Sequence, residues 1–177
     1  MFPLLAVTIA LPSDEKAGAA MEEPRKVPTL YEWIGGMPAI SKLLETFYAR
    51  VPSDPILAPV FAEMSPEHSA HVAAFVAEVL GGPKAYSGEH GGHPHMIERH
   101  LGRALTETQR KRWLSVLLEC ADEIGVPADP EFRSAFVAYL EWGTRLAVLN
   151  SQPGATVTAD SPMPAWGWGE VKGPYVP

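Results

Sequence analysis

All six histidines of this 177-residue chain lie in one stretch, between positions 68 and 100. Imidazole is the side chain that most often binds metals, and it also titrates near neutral pH. The spacing places His68 on the same core-facing stripe as Val72, and His100 ends a second, short element. Two histidines that face one interior could bind a metal or flank a cofactor. The alternative is that each one hydrogen-bonds a backbone carbonyl, as buried polar groups usually do.

The spacing within this histidine stretch gives little support for zinc. A structural zinc ion takes four tetrahedral ligands that usually include cysteine, and the only cysteine, Cys120, is predicted to be a small core residue. The run EHSAH at 67–71 does not place its glutamate as the HExxH motif of zinc enzymes does. We therefore predict that His90, His93 and His95 lie in a loop, where His93 shapes the start of a short helix.

Large aromatic side chains accompany the histidines on the inner faces of the predicted helices. They are Phe47, Tyr48, Phe61, Phe75 and Trp113. So much aromatic surface either packs into an ordinary core or encloses a flat apolar ligand. Spacing alone favours the ordinary core.

Four amphipathic helices are predicted to position these residues. Apolar side chains recur every three or four positions in 38–51. Ser65 is predicted to cap the second helix, which ends at Gly81. Thr106 begins a capping box for the third helix, and Asp129 opens the fourth.

The segment 84–103 is too rich in glycine and histidine for one long helix, and it has room for one short helix at about 94–101. The chain shows no strand-like alternation and no internal repeat. These patterns predict an all-α fold.

Composition excludes several classes of function. Fourteen basic residues against 21 acidic residues give a net charge of -7, which argues against nucleic-acid binding. No run approaches the roughly 20 apolar residues that a membrane span needs. A single cysteine cannot form an internal disulfide and fits a reducing compartment, so we predict a cytoplasmic protein.

The two ends of the chain are predicted to lie outside the helical domain. Residues 1–28 form a flexible extension, because no basic residue precedes Lys16 as a signal peptide requires; Met21 as the true start is the other interpretation. Residues 152–177 contain five prolines and are predicted to form an irregular tail. Trp166 and Trp168 within this tail are predicted to pack on the domain surface.

Read in order, the motifs of 29–151 resemble those of the truncated haemoglobins, specifically group II. The motifs that carry the resemblance are Thr29-Leu30-Tyr31-Glu32 with Ile34-Gly35-Gly36, Phe47-Tyr48-x-x-Val51, Asp54-Pro55, Leu57, Pro59-Val60-Phe61, Val79-Leu80-Gly81-Gly82-Pro83, Tyr86-Ser87, Gly92-His93-Pro94-x-Met96-x-x-Arg99-His100, Arg112-Trp113-Leu114 and Leu149-Asn150-Ser151. The two terminal extensions lie outside the resemblance.

The resemblance implies a two-over-two helical sandwich around one haem b. It makes His100 the proximal iron ligand, and it places Tyr48, His68 and Trp113 on the distal side, where the ligand binds. The residues it implies for haem binding are Phe47, Phe61, Val72, Phe75, Tyr86, Arg99, His100 and Trp113. Arg99, Tyr86 and His71 are the expected partners of the haem propionates. His68 departs from many group II proteins, which carry a small residue there.

The function implied by the resemblance is reversible binding of dioxygen and other diatomic ligands at a five-coordinate iron. Three polar distal side chains suit tight oxygen binding, and a catalytic version would oxidise nitric oxide or turn over peroxide. Turnover would need a separate reductase, because the chain has no glycine motif for a flavin or nicotinamide. The expected state is a monomer or a homodimer.

Two other classes of function stay open from the sequence. The first is a haem-free helical domain in which the histidine cluster binds a metal. The second is an interaction domain whose tryptophan-bearing tail docks a partner.

Overall fold

The computed structural model describes residues 26–174, so the predicted N-terminal extension lies outside the described residues except for 26–28. Seven α-helices and no strand occur in this described part, which confirms the all-α prediction. The helices are α1 (Leu30–Ile34), α2 (Gly36–Arg50), α3 (His68–Val79), α4 (Ala85–Glu89), α5 (Gly92–Glu98), α6 (Glu107–Glu123) and α7 (Pro130–Asn150). Helix α2 packs against α3 and α6, and α6 packs against α7. None of these helices combines the length and apolar character that crossing a membrane requires.

Side-chain caps explain where three of the helices begin. Thr29 and Thr106 each form a capping box, and the Asp129 carboxylate accepts a hydrogen bond from the backbone N–H of Phe132. These bonds satisfy backbone donors that a helix N-terminus leaves free. The predicted starts at Thr106 and Asp129 are therefore confirmed.

Helix α3 begins later than the sequence predicts. Ser65 does not cap it; the Ser65 carbonyl accepts the backbone N–H of His68 at 3.1 Å, which closes a turn before the helix. The predicted end of this helix is correct. Gly81 has a φ of +92°, and a Cβ on Gly82 would lie 2.7 Å from the Tyr31 ring, so the two glycines let α1 approach the end of α3.

The segment 84–103 contains two short helices, α4 and α5, where the sequence predicts one. Gly91, with a φ of +78°, separates them. Helix α5 ends at Glu98, earlier than expected, so His100 lies just beyond the helix.

The C-terminal tail packs on the helical domain, and its two tryptophans pack against that domain as predicted. Trp166 donates its backbone N–H to the Val79 carbonyl at 2.8 Å and its indole N–H to the Ala135 carbonyl at 3.0 Å. Trp168 is only 9% exposed and donates its indole N–H to the Pro28 carbonyl at 2.7 Å. The tail thus bridges α3, α7 and the chain segment before α1.

Replacing Trp168 with alanine should therefore lower the free energy of unfolding by roughly 3 kcal/mol, the scale for truncating a large buried aromatic. The loss combines the buried ring surface with the hydrogen bond to Pro28. Urea unfolding of the full-length protein, followed by circular dichroism, measures it. Val171→Ala, at a half-exposed position of the same tail, is the matched control and should change little. An unfolding midpoint equal to that of the parent would contradict this account.

Candidate functional site

A cavity of about 270 Å³ lies among α2, α3, α5, α6 and α7 and the loop before α3. The predicted site residues that line it are Tyr48, Phe61, His68, Val72, Phe75, Tyr86, Arg99, His100 and Trp113. Phe47 does not line the cavity. Its fully buried ring lies behind two residues that do, with its centroid 4.9 Å from that of Tyr48 and 5.2 Å from that of Trp113.

His100 has one ring nitrogen fixed by a hydrogen bond. Its Nδ1 lies 2.8 Å from the Met96 carbonyl oxygen. A carbonyl only accepts, so Nδ1 carries the proton and Nε2 keeps its lone pair. No described residue hydrogen-bonds that Nε2. Burial lowers the pKa of His100, against the opposing effect of the Met96 carbonyl, so the ring is neutral at pH 7. A neutral imidazole whose other nitrogen is held this way has the form of a metal ligand.

Tyr48 and His68 form a hydrogen-bonded pair on the other side of the cavity. Tyr48 Oη lies 3.0 Å from His68 Nε2. Burial, followed by the positive charges of Arg99 and Arg103, lowers the pKa of His68 to about 4. Burial raises the pKa of Tyr48. Both side chains are therefore neutral at pH 7, and one proton lies between them.

Trp113 reaches the cavity from α6, and its indole N–H meets no acceptor among residues 26–174. The neighbouring Arg112 fixes this part of α6: its Nε lies 2.6 Å from Asp54 Oδ2. The other oxygen of Asp54 accepts the backbone N–H groups of Ile56 and Leu57, each at 3.0 Å. One carboxylate thus ties α6 to the loop that carries Phe61.

The mouth of the cavity is cationic and aromatic. Arg99 is exposed and pairs with no carboxylate within the described residues, so its guanidinium can meet an anionic group. His71 and His90 lie side by side at the same mouth, with ring centroids 4.5 Å apart. The buried Tyr86 packs edge-on against Phe75 at 5.1 Å.

The other histidines do not form a metal site. Across the described residues, which include all six histidines, no three His, Cys, Asp or Glu side chains come together as metal ligands. His93 instead has its Nδ1 2.9 Å from the Pro162 carbonyl, and His95 lies 3.7 Å from Glu98. The alternative hypothesis of a histidine-cluster metal site therefore has no support. Cys120 is fully buried, which confirms its predicted place in the core.

One wall of the cavity is not predicted from the sequence. It comes from α5 and the second half of α7 and includes Met96, Ile97, Trp142, Gly143, Leu146 and Ala147. The apolar spacing of α7 predicts a core-facing stripe, and it does not separate residues that face a cavity from those that face another helix. Only the position of α7 relative to α5 makes that distinction.

Together these features fit a haem. Apolar walls suit a flat macrocycle. Among the described residues, His100 Nε2 has no hydrogen-bond partner and suits its iron, and Arg99 pairs with no carboxylate and suits its propionates.

Comparisons with known proteins agree with this geometry. The sequence model of the family described as bacterial-like globin matches residues 29–142. The group 2 truncated hemoglobin YjbI of Bacillus subtilis is 36% identical over 122 residues, which cover 69% of this chain and 89% of that protein.

Solved structures give the same result. The group II truncated hemoglobin from Bacillus anthracis has a TM-score of 0.63 at 32% identity, covering 70% of this chain and 93% of that one. The truncated oxygen-avid haemoglobin from Bacillus subtilis has a TM-score of 0.60 at 36% identity, covering 68% and 99%. These neighbours confirm the predicted two-over-two helical fold.

The Asp54–Arg112 ion pair should make part of the stability depend on pH. Burial raises the pKa of the Asp54 carboxyl, but the hydrogen bonds from Arg112 and two backbone N–H groups outweigh burial and hold that pKa below its usual range. The carboxylate therefore stabilises the folded state above the unfolded pKa of about 3.9, and this contribution is lost as pH falls through the folded pKa.

Asp54→Asn should therefore lower the free energy of unfolding at pH 7, and the gap to the parent should narrow at pH 3. Urea unfolding at the two pH values measures both quantities. Glu119→Gln, which changes a more exposed carboxylate 3.7 Å from the same arginine, is the control and should have little effect. An equal gap at both pH values would refute the assignment.

Proposed function

This chain belongs to the bacterial-like globins, as a truncated haemoglobin of group II, and from that premise we propose that it holds haem b and reversibly binds dioxygen and other diatomic ligands at a five-coordinate iron. The family as a whole binds haem and gases. The observation that carries the proposal for this chain is the hydrogen bond from His100 Nδ1 to the Met96 carbonyl. It leaves Nε2 as a neutral donor atom on the cavity side.

The proposed haem contacts follow from the walls of the cavity. Phe61, Val72 and Phe75 would pack on the macrocycle, with Phe47 supporting them from behind. Arg99 would pair with a propionate, and Tyr86 would contribute its hydroxyl at the same edge. His71 lies close enough to this mouth to serve as a further propionate partner.

When bound, the haem would supply an iron able to take up a diatomic ligand. The protein's part is to aim proton donors at that ligand. The Trp113 indole N–H has no acceptor among the described residues and would serve this purpose. Tyr48 and His68 share one hydrogen bond, so they do not act as two independent donors. If His68 holds its proton on Nε2 and donates it to Tyr48 Oη, the Tyr48 O–H is free to point into the cavity.

These donors set the expected strength of oxygen binding. Each one contributes about 0.5–1.5 kcal/mol, or about 1.5–3 kcal/mol when the acceptor is effectively charged. Since 1.4 kcal/mol is a tenfold change in an equilibrium constant, Trp113 and Tyr48 together would slow oxygen release by one or more orders of magnitude. They share one acceptor, so their effects do not add in full.

Slow oxygen release suits oxygen or peroxide chemistry better than bulk delivery. We propose dioxygen-dependent oxidation of nitric oxide, or peroxidase-like turnover, as the catalytic form of this function, with electrons from a separate reductase. Nitric oxide consumption by the oxygenated protein above that of free haem is the measurement that separates this activity from simple binding. The single cysteine fits a reducing compartment, so we propose a cytoplasmic location.

His100→Ala should abolish the haem spectrum of the protein. The parent, expressed with added haem, should show a strong Soret band that shifts on reduction and again on adding carbon monoxide. The variant should lose that band, because the ligand nitrogen is gone. His95→Ala makes the same change of residue type at an exposed position of α5 and should retain the band. A parent that is folded but does not take up haem would overturn the proposed function.

Trp113→Phe should raise the oxygen dissociation rate constant by roughly tenfold, because it removes one hydrogen bond to the bound ligand and keeps an aromatic ring. Stopped-flow replacement of oxygen by carbon monoxide measures this rate. Trp142→Phe makes the same substitution at another cavity-lining tryptophan, on α7, and should leave the rate within about twofold. A Trp113→Phe rate equal to that of the parent would remove Trp113 from the distal site.

A further inference from the structure

We propose that the Tyr48 hydroxyl acts as a latch on His68: it occupies Nε2 of that ring and so keeps His68 from becoming a second protein ligand to the haem iron. Tyr48 would thereby preserve the open coordination position at which small ligands bind. This inference rests on the proposed function, since it assumes a haem held by His100. It assigns Tyr48 a positioning role that is separate from donating a hydrogen bond to the ligand.

The atom that Tyr48 holds is the one that would bind iron. Tyr48 Oη lies 3.0 Å from His68 Nε2. If Tyr48 donates, the Nε2 lone pair is taken; if Nε2 carries the proton and donates, it has no free lone pair. The latch therefore works in both tautomers of His68.

Loss of this bond would leave His68 as a second imidazole with no hydrogen-bond partner in the cavity. His68 and His100 line the same cavity from α3 and from the end of α5. Tyr48 is the only hydrogen-bond partner of the His68 ring among the described residues.

The two partners differ in how firmly they are held. Tyr48 lies in the last turn of α2, is 7% exposed, and has the rings of Phe47 and Phe61 edge-on against it at 4.9 and 5.5 Å. His68 is the first residue of α3, and no side chain caps that end of the helix. Tyr48 is buried and His68 is only partly buried, so Tyr48 is the fixed member of the pair and His68 the movable one.

Tyr48→Phe tests the latch, because it removes one oxygen and keeps the ring. The reduced, haem-loaded variant, free of added ligands, should show the sharp low-spin bands of a six-coordinate haem. We expect the ratio of six- to five-coordinate haem to rise by about 2- to 12-fold over the parent, the range for one hydrogen bond of ordinary strength. Carbon monoxide binding should gain a slow phase limited by release of His68. Tyr139→Phe makes the same change at a cavity-lining tyrosine of α7 and should leave the parent ratio unchanged.

A second substitution identifies the ligand. In Tyr48→Phe/His68→Ala the low-spin bands and the slow phase should both disappear. The latch is refuted if Tyr48→Phe keeps the parent ratio, or if the double variant keeps the low-spin bands. Tyr48→Leu gives the same readout if Tyr48→Phe does not fold. If the proposed function is wrong, the result is distinguishable from failure of the latch, because the parent itself would then lack a haem spectrum that depends on His100.

Discussion

The hydrogen bond between His100 and the Met96 carbonyl determines what the rest of the cavity can do. It exists because α5 ends early: the His100 backbone N–H goes to the Ile97 carbonyl at 2.9 Å, not to Met96 four residues back. Met96 is left with one of the free carbonyls that every helix C-terminus exposes. The side chain of His100 supplies the missing donor, and by doing so it fixes which ring nitrogen faces the cavity.

A hydrogen bond also fixes the second imidazole of the cavity, that of His68, but with the opposite effect on its Nε2. His68 is also neutral and also presents Nε2, but its Nε2 is engaged by Tyr48, while that of His100 has no partner among residues 26–174. Two imidazoles in one cavity are thus made unequal by their hydrogen-bond partners alone. Burial makes the distinction hold near neutral pH, because it lowers the pKa of both rings.

Local patterns were enough to predict much of this architecture. The helices that begin at Thr106 and Asp129 carry their own caps, so a few neighbouring residues define their starts. Features that depend on distant residues could not be predicted in the same way. Helix α4 is five residues long, and the backbone N–H of Ser87 within it donates to the Glu78 carboxylate of α3 at 2.9 Å. The wall that α7 contributes likewise appears only once the helices are assembled.

Helix α5 shows most clearly why the site is a tertiary property. Its seven residues are too few for a stable isolated helix, so contacts from elsewhere must hold it. The tail holds its first turn, where His93 Nδ1 lies 2.9 Å from the Pro162 carbonyl. Burial of Ile97 holds its second turn, and the His100 side chain closes its end. A segment outside the family match therefore fixes one end of the helix that presents His100, and the sequence of α5 alone could not have defined that helix's bounds.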